Sequence, residues 1–159
     1  MSRFIFLFAL LFLVGCDSNR VFEDYKEFND RTWKINDRVY FDFEIKDTTK
    51  KYNLYYNVRN SLEYPYARIF VNYSLKDSIH TELTSALASN YLFDQKTGSP
   101  LGRSGLGDVF DNQFILIRNH SFIATGVYQL SLEQFNRQDS LHGVIAVGIR
   151  VEEAPELNP

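Results

Sequence analysis

Alternation of apolar and polar side chains is the dominant signal in this chain. Between Arg38 and Lys46, Val39, Phe41, Phe43 and Ile45 alternate with Tyr40, Asp42, Glu44 and Lys46. A period of two sends every second side chain to one face of a pleated backbone, so this segment predicts a half-buried strand. The same holds for residues 52–60, where Leu54, Tyr56 and Val58 oppose Asn53, Tyr55, Asn57 and Arg59. It holds again for 66–76, where Ile69, Val71, Tyr73 and Leu75 oppose Arg68, Phe70, Asn72 and Ser74. The polar turn at 47–51 predicts that the first two of these strands form a hairpin. Residues 79–93 predict two short strand pieces, and Phe114 to Ile117, apolar on both faces, predicts a central strand. Tyr128, Leu130 and Leu132 alternate with Gln129, Ser131 and Glu133, and in 144–152 the residues Ile145, Val147, Ile149 and Val151 face inward. Between these segments lie a long loop at 94–112 and a short irregular or helical piece at 134–140. Seven to nine strands at short intervals, with no long amphipathic helix, predict an all-β fold: an antiparallel β-sandwich, Ig-like or jelly-roll-like.

The amino terminus obeys a different rule. Arg3 precedes an uninterrupted apolar run of eleven residues, Phe4 to Val14. That length suits a signal-peptide core and falls short of the roughly 20 residues a spanning helix needs. The run ends in Leu13-Val14-Gly15-Cys16, which resembles the bacterial lipobox at every position. The resemblance implies that the Cys16 thiol accepts a diacylglyceryl group, that cleavage occurs after Gly15, and that the new amino terminus is acylated in turn. Two acyl chains anchor stably where one binds only marginally. The alternative, a buried first helix with Cys16 as one more apolar residue, sits poorly with the polar Asp17-Ser18-Asn19-Arg20 immediately after it. The expected organisation is a signal peptide at 1–15, a lipidated tether with a first edge strand at 16–31, a sandwich at 32–153 and a flexible tail at 154–159. In the tether, Phe22, Tyr25 and Phe28 recur at a spacing of three, which one helical turn or a docked strand would equally explain.

Composition narrows the function classes. The 159 residues suit one domain, and 45% hydrophobic with 23% charged residues is ordinary globular usage. Aromatic residues reach 16%, which favours sheet surfaces. With 17 Lys+Arg against 20 Asp+Glu, the net charge of -3 provides no field for a polyphosphate backbone, so nucleic acid is not an expected partner. The single cysteine excludes an internal disulfide and a four-cysteine zinc site.

Candidate chemistry is sparse. The glycine loop at 98–108 lacks the Gly-Lys-Ser/Thr ending of a nucleotide-binding loop, and the segment after it looks extended rather than helical. Asp108 and Asp111 are calcium candidates without the Asp-x-Asp spacing of a full oxygen cage. His80, His120 and His142 are scattered, and Ser104 beside Gly105 is only a fragment of a nucleophile elbow. No catalytic, cofactor-binding or metal-binding residue is therefore assigned, and neither a cofactor nor a small-molecule substrate is expected. Tyr40, Tyr55 and Phe70 stand opposite the main apolar stripes. They could form a hot-spot patch for a protein, or a stacking platform for sugars, which would make the chain a surface glycan-binding lipoprotein.

Taken in order along the chain, these segments resemble the gliding-motility lipoprotein GldH family of Bacteroidota. The resemblance runs from Leu13-Val14-Gly15-Cys16 through Val21-Phe22-Glu23-Asp24-Tyr25, Trp33-Lys34-Ile35, Asn57-Val58-Arg59-Asn60 and Tyr64-Pro65-Tyr66. It continues with Gly105-Leu106-Gly107-Asp108, Gly126-Val127-Tyr128 and Gln134, Arg137, Leu141, Gly143 and Val147-Gly148. Departures fall at Phe135-Asn136 and at Ser99-Pro100. The resemblance implies a non-enzymatic, lipid-anchored component of surface gliding that supports other gliding lipoproteins and is linked to the type IX secretion machinery. Its expected place is the cell envelope, with the outer membrane favoured over the inner. Cys16, as acyl acceptor, is the one functional residue it carries over.

Overall fold

The structure, a computed structural model, describes residues 19–155. Cys16, the signal segment and the last four residues of the tail lie outside the described residues. Eleven strands run in order: β1 (Arg20–Glu27), β2 (Thr32–Lys34), β3 (Val39–Ile45), β4 (Tyr52–Ser61), β5 (Arg68–Lys76), β6 (Glu82–Tyr91), β7 (Arg103–Ser104), β8 (Val109–His120), β9 (Gly126–Gln134), β10 (Ser140–His142) and β11 (Val144–Glu153). Among the described residues there is no helix, so none is long and apolar enough to cross a membrane.

One sheet has the order β1-β11-β4-β8-β7 and the other β3-β9-β5-β6, while β2 and β10 pair as a small clip. The pairings of the eight long strands, β1 with β11, β3 with β9, β4 with β8 and β5 with β6, are all antiparallel. First meets last, second meets second-to-last, and so inward: a long ribbon rolled into two facing sheets, the jelly-roll form of the expected sandwich. The apolar rows fill the space between the sheets. Phe41, Phe43 and Ile45 of β3 and Leu130 and Leu132 of β9 face Leu54, Tyr56 and Val58 of β4 and Val147 and Ile149 of β11. Phe22 of β1 meets Phe43 of the opposite sheet with ring centroids 6.1 Å apart. At one end, fully buried Trp33 stacks on Phe28 at 5.9 Å and donates its Nε1 hydrogen to the Asp37 carbonyl at 2.7 Å, closing the core.

The rolled ribbon corrects several expectations. β3 and β4 form no hairpin, because their apolar rows face each other across the core and turn 46–51 carries the chain from one sheet to the other. Residues 79–93 hold one continuous strand, β6, rather than two pieces. It pairs with β5 across nearly its whole length, and its exposed edge position leaves its side chains weakly patterned. The loop at 94–112 is interrupted by β7 and ends at Val109, where β8 begins. β8 is not a central strand: outside it lies only the two-residue β7. A bulge between Val144 and Ala146 lifts Ile145 out of the inward row, and fully buried Val144, paired with buried Asn60, takes its place. Residues 135–139 are irregular, not helical.

Candidate functional site

The outward side chains of the five-stranded sheet are set in rows by its register. Glu23, Arg150 and Tyr55 share one row, Tyr25, Gly148, Asn57 and Gln113 the next, and Glu27, Ala146, Arg59 and Asp111 a third. The middle row depends on a missing side chain. A Cβ at Gly148 would lie 2.5 Å from the Asp24 carbonyl oxygen and 2.7 Å from the Tyr25 ring, so only glycine lets the ring of Tyr25 lie down on β11. Its phenol thereby reaches Asn57, whose Nδ2 donates to the Tyr25 oxygen at 2.9 Å. The Arg59 guanidinium sits 5.6 Å from the centroid of the same ring while its Nε donates to Asp111 at 2.8 Å. Glu23 accepts from the Tyr25 hydroxyl and from Arg150, each at 3.3 Å, and Arg150 also donates to Glu152.

Electrostatics result from this packing. Burial, reinforced by the negative charge of Glu23, raises the Tyr25 phenol above its ordinary value, so it stays protonated and able to donate at neutral pH. The hydrogen bond to Asp111 raises the Arg59 guanidinium further. Asn57 is 3% exposed, yet its Oδ1 accepts no hydrogen bond; among the described residues it is the one buried side-chain polar atom without a partner. Asn57 borders a cleft of about 450 Å³ lined also by Glu23, Gln113, Phe114 and Arg103. A buried acceptor left unmade is unfavourable, so this row is the least satisfied part of the sheet's hydrogen bonding. What this surface presents chemically is a set of fixed donors, acceptors and paired charges.

The other candidates lie apart from one another. Asp111 belongs to the surface, but as the ion-pair partner of Arg59. Asp108 lies 3.3 Å from Arg31, so both calcium candidates face guanidinium groups. His80 lies in the β5–β6 turn, His120 at the end of β8 and His142 on β10, where its Nδ1 meets the Thr32 hydroxyl at 3.1 Å. Ser104 donates to the Gly105 carbonyl at 3.4 Å. The aromatic platform does not form. Tyr55 is on the outer face of one sheet, while Tyr40 and Phe70 are on the other, separated by β9. The loop glycines are structural: a Cβ at Gly102 would strike the Asn112 side chain at 2.7 Å, which donates to buried Asn60 at 2.9 Å.

Sequence reasoning leaves Tyr25, Asn57, Arg150 and Gln113 without a role. The available signal is Asn57 within an otherwise regular alternation, a small polar amide where a solvated strand face tolerates almost anything. Tyr25, Asn57, Arg59 and Gly148 all occur in the segments that carry the family resemblance, and the structure gathers them into one patch.

Comparison with known proteins gives the same direction. The family model described as GldH lipoprotein matches residues 20–151, from the first residue of β1 into β11. The gliding motility lipoprotein GldH homolog of Christiangramia forsetii is 29% identical over 160 residues, covering 96% of each chain. The gliding motility lipoprotein GldH of Flavobacterium johnsoniae is 28% identical over 156 residues, covering 94% of each. The match thus takes in both sheets and the Tyr25–Asn57–Arg59 surface, and the chain belongs to the GldH lipoprotein family.

Proposed function

We propose that this protein is a lipid-anchored, non-enzymatic adaptor of the gliding machinery at the cell envelope, held there by acyl chains on Cys16. Its sandwich stabilises or positions partner lipoproteins linked to type IX secretion. The relatives' names supply the process, and the outer face of the five-stranded sheet supplies the means. Carrying the reading is the buried Asn57 Oδ1, an acceptor without a donor, set between the Glu23–Arg150 and Arg59–Asp111 ion pairs. A partner segment that docks in the adjoining cleft and displaces the side chains over this acceptor supplies the N–H or O–H group it lacks. Paired charges around it reject partners of the wrong polarity.

The test is affinity recovery of the lipidated protein from detergent-solubilised native envelopes, with mass spectrometry of the proteins that accompany it. Gliding lipoproteins or secretion-ring proteins are expected with the unaltered chain and are lost with Asn57→Leu and Arg59→Ala. Recovery of polysaccharide or uptake porins in their place overturns the adaptor reading.

A further inference from the structure

The end of the sandwich nearest the amino terminus carries a feature that packing does not explain. Asn19, Glu153, Tyr52 and His120 form one continuous row across β1, β11, β4 and β8: the Glu153 N–H donates to the Asn19 carbonyl at 2.8 Å, Glu153 pairs with Tyr52, and Tyr52 pairs with His120. At about 4.8 Å per strand, Asn19 and His120 are roughly 14 Å apart along that row. Cys16 lies three residues before Asn19, and Ile123 lies three residues beyond His120. A chain reaches at most about 3.6 Å per residue, so the three residues that link Cys16 to Asn19 span at most roughly 11 Å.

Ile123 is 96% exposed at the tip of that turn. A lone exposed aliphatic residue on a surface is ordinary, but this one is held out by its neighbours. Phe122 is buried, with its ring 5.5 Å from Tyr52, 4.4 Å from Tyr128 and 4.5 Å from His120, and the Tyr128 hydroxyl donates to the Ala124 carbonyl at 2.8 Å. Ile123 thus stands between a buried ring at Phe122 and a hydrogen-bonded backbone carbonyl at Ala124, with its own side chain left in the open. A second turn repeats the arrangement. β5 leaves its sheet toward the same end, where Lys76 pairs with Gln129, and the Asp77 carboxylate accepts from the N–H groups of Ile79 and Thr81 at 3.1 and 2.8 Å. Ile79, at its tip, is 79% exposed. Two ion pairs form at this end, Lys50 with Glu153 at 2.6 Å and Lys46 with Glu44 at 3.5 Å.

We infer that Ile123 and Ile79 are the points at which the sandwich rests on the lipid bilayer, their side chains entering the headgroup–acyl boundary beside the anchor. The inference rests on the reading of Cys16 as lipidated, since that anchor holds this end of the domain at the membrane. Two rigid tips and one covalent anchor make three points of contact. They fix the tilt of the domain, leaving the opposite end, with Leu106 and the glycine loop, directed away from the bilayer.

The test uses the full-length lipoprotein, purified with its lipid and reconstituted into vesicles of phosphatidylethanolamine and phosphatidylglycerol. An environment-sensitive nitrobenzoxadiazole label is attached to Ile123→Cys, Ile79→Cys and Leu106→Cys. At positions 123 and 79 the emission is expected to shift to the blue, dithionite reduction to slow several-fold relative to position 106, and nitroxide lipids to quench. Equal aqueous exposure at the three positions overturns the contact while leaving the anchor standing. The unsubstituted chain separates the two readings: Cys16 is its only cysteine, so labelling of that chain shows a free thiol and overturns the anchor and the contact together.

Discussion

The Tyr56 hydroxyl donates to Asn90 Oδ1 at 2.7 Å, tying β4 of one sheet to β6 of the other through the core. Tyr56 is fully buried, and burial, with a smaller push from Tyr64, holds its phenol far above the ordinary value, so the bond persists at any working pH. Tyr56→Phe keeps the ring contact with Phe114 and removes only this bond. The expected loss is about 1–2 kcal/mol. Urea unfolding monitored by Trp33 fluorescence reads it, and an unchanged midpoint would mean that the bond contributes nothing.

Gly148→Ala tests the seat of Tyr25. The new Cβ meets backbone at 2.5 Å, and backbone cannot swing aside, so β1 must move off β11. The expected destabilisation is about 1–3 kcal/mol, in the range of overpacked cores. It is concentrated in β1: hydrogen exchange should accelerate across residues 20–27 before it does in β4 or β9. Uniform acceleration throughout the chain would contradict this account.

Acid sensitivity should arrive in two steps. Burial against Phe122 lowers the His120 imidazole below its ordinary 6.5. A group depressed in the folded state binds its proton more readily when unfolded. The stability it contributes is therefore complete above about pH 6.5 and is lost as pH falls through the lower folded value. Hydrogen bonds from the Thr49 hydroxyl and N–H lower the Asp47 carboxyl, and those from Thr97 lower Asp94. Their contributions are lost only below the ordinary carboxylate value of 3.8. Thermal melts from pH 7.5 to 3 should show both steps, and His120→Gln should abolish the first and spare the second.

Cys16→Ala should prevent fatty-acid incorporation and release the protein from the membrane fraction. Metabolic labelling with a radioactive fatty acid, then fractionation, measures both. Label that persists in the variant would place the acyl chain elsewhere.

Much of the architecture is legible in the sequence because strand alternation is local. Val39 to Ile45 and Leu54 to Val58 declare their buried faces within a few residues, since a half-buried pleat requires nothing more. The likeness of Leu13 to Cys16 to a lipobox is legible for a similar reason: such a motif is a short linear segment. Partner choice among strands is not local. In a rolled ribbon β1 pairs with β11, and neither strand's own alternation encodes that. The β3–β4 hairpin is therefore a reasonable local inference that the global topology overrides. Edge strand β6 and bulged Ile145 are illegible for the same cause, because exposure and bulging are set by neighbours.

The outer face of the five-stranded sheet shows the division most plainly. The sequence by itself determined which residues could hydrogen-bond: Tyr25 and Asn57 are polar whatever the fold. Only the tertiary structure placed β1 beside β11 and β11 beside β4, so that the gap at Gly148 lets a tyrosine reach an asparagine two strands away and leaves one carbonyl oxygen of that asparagine waiting for a donor. Side-chain chemistry is a property of single residues, whereas burial, pairing and the absence of a partner are relations between segments far apart along the chain.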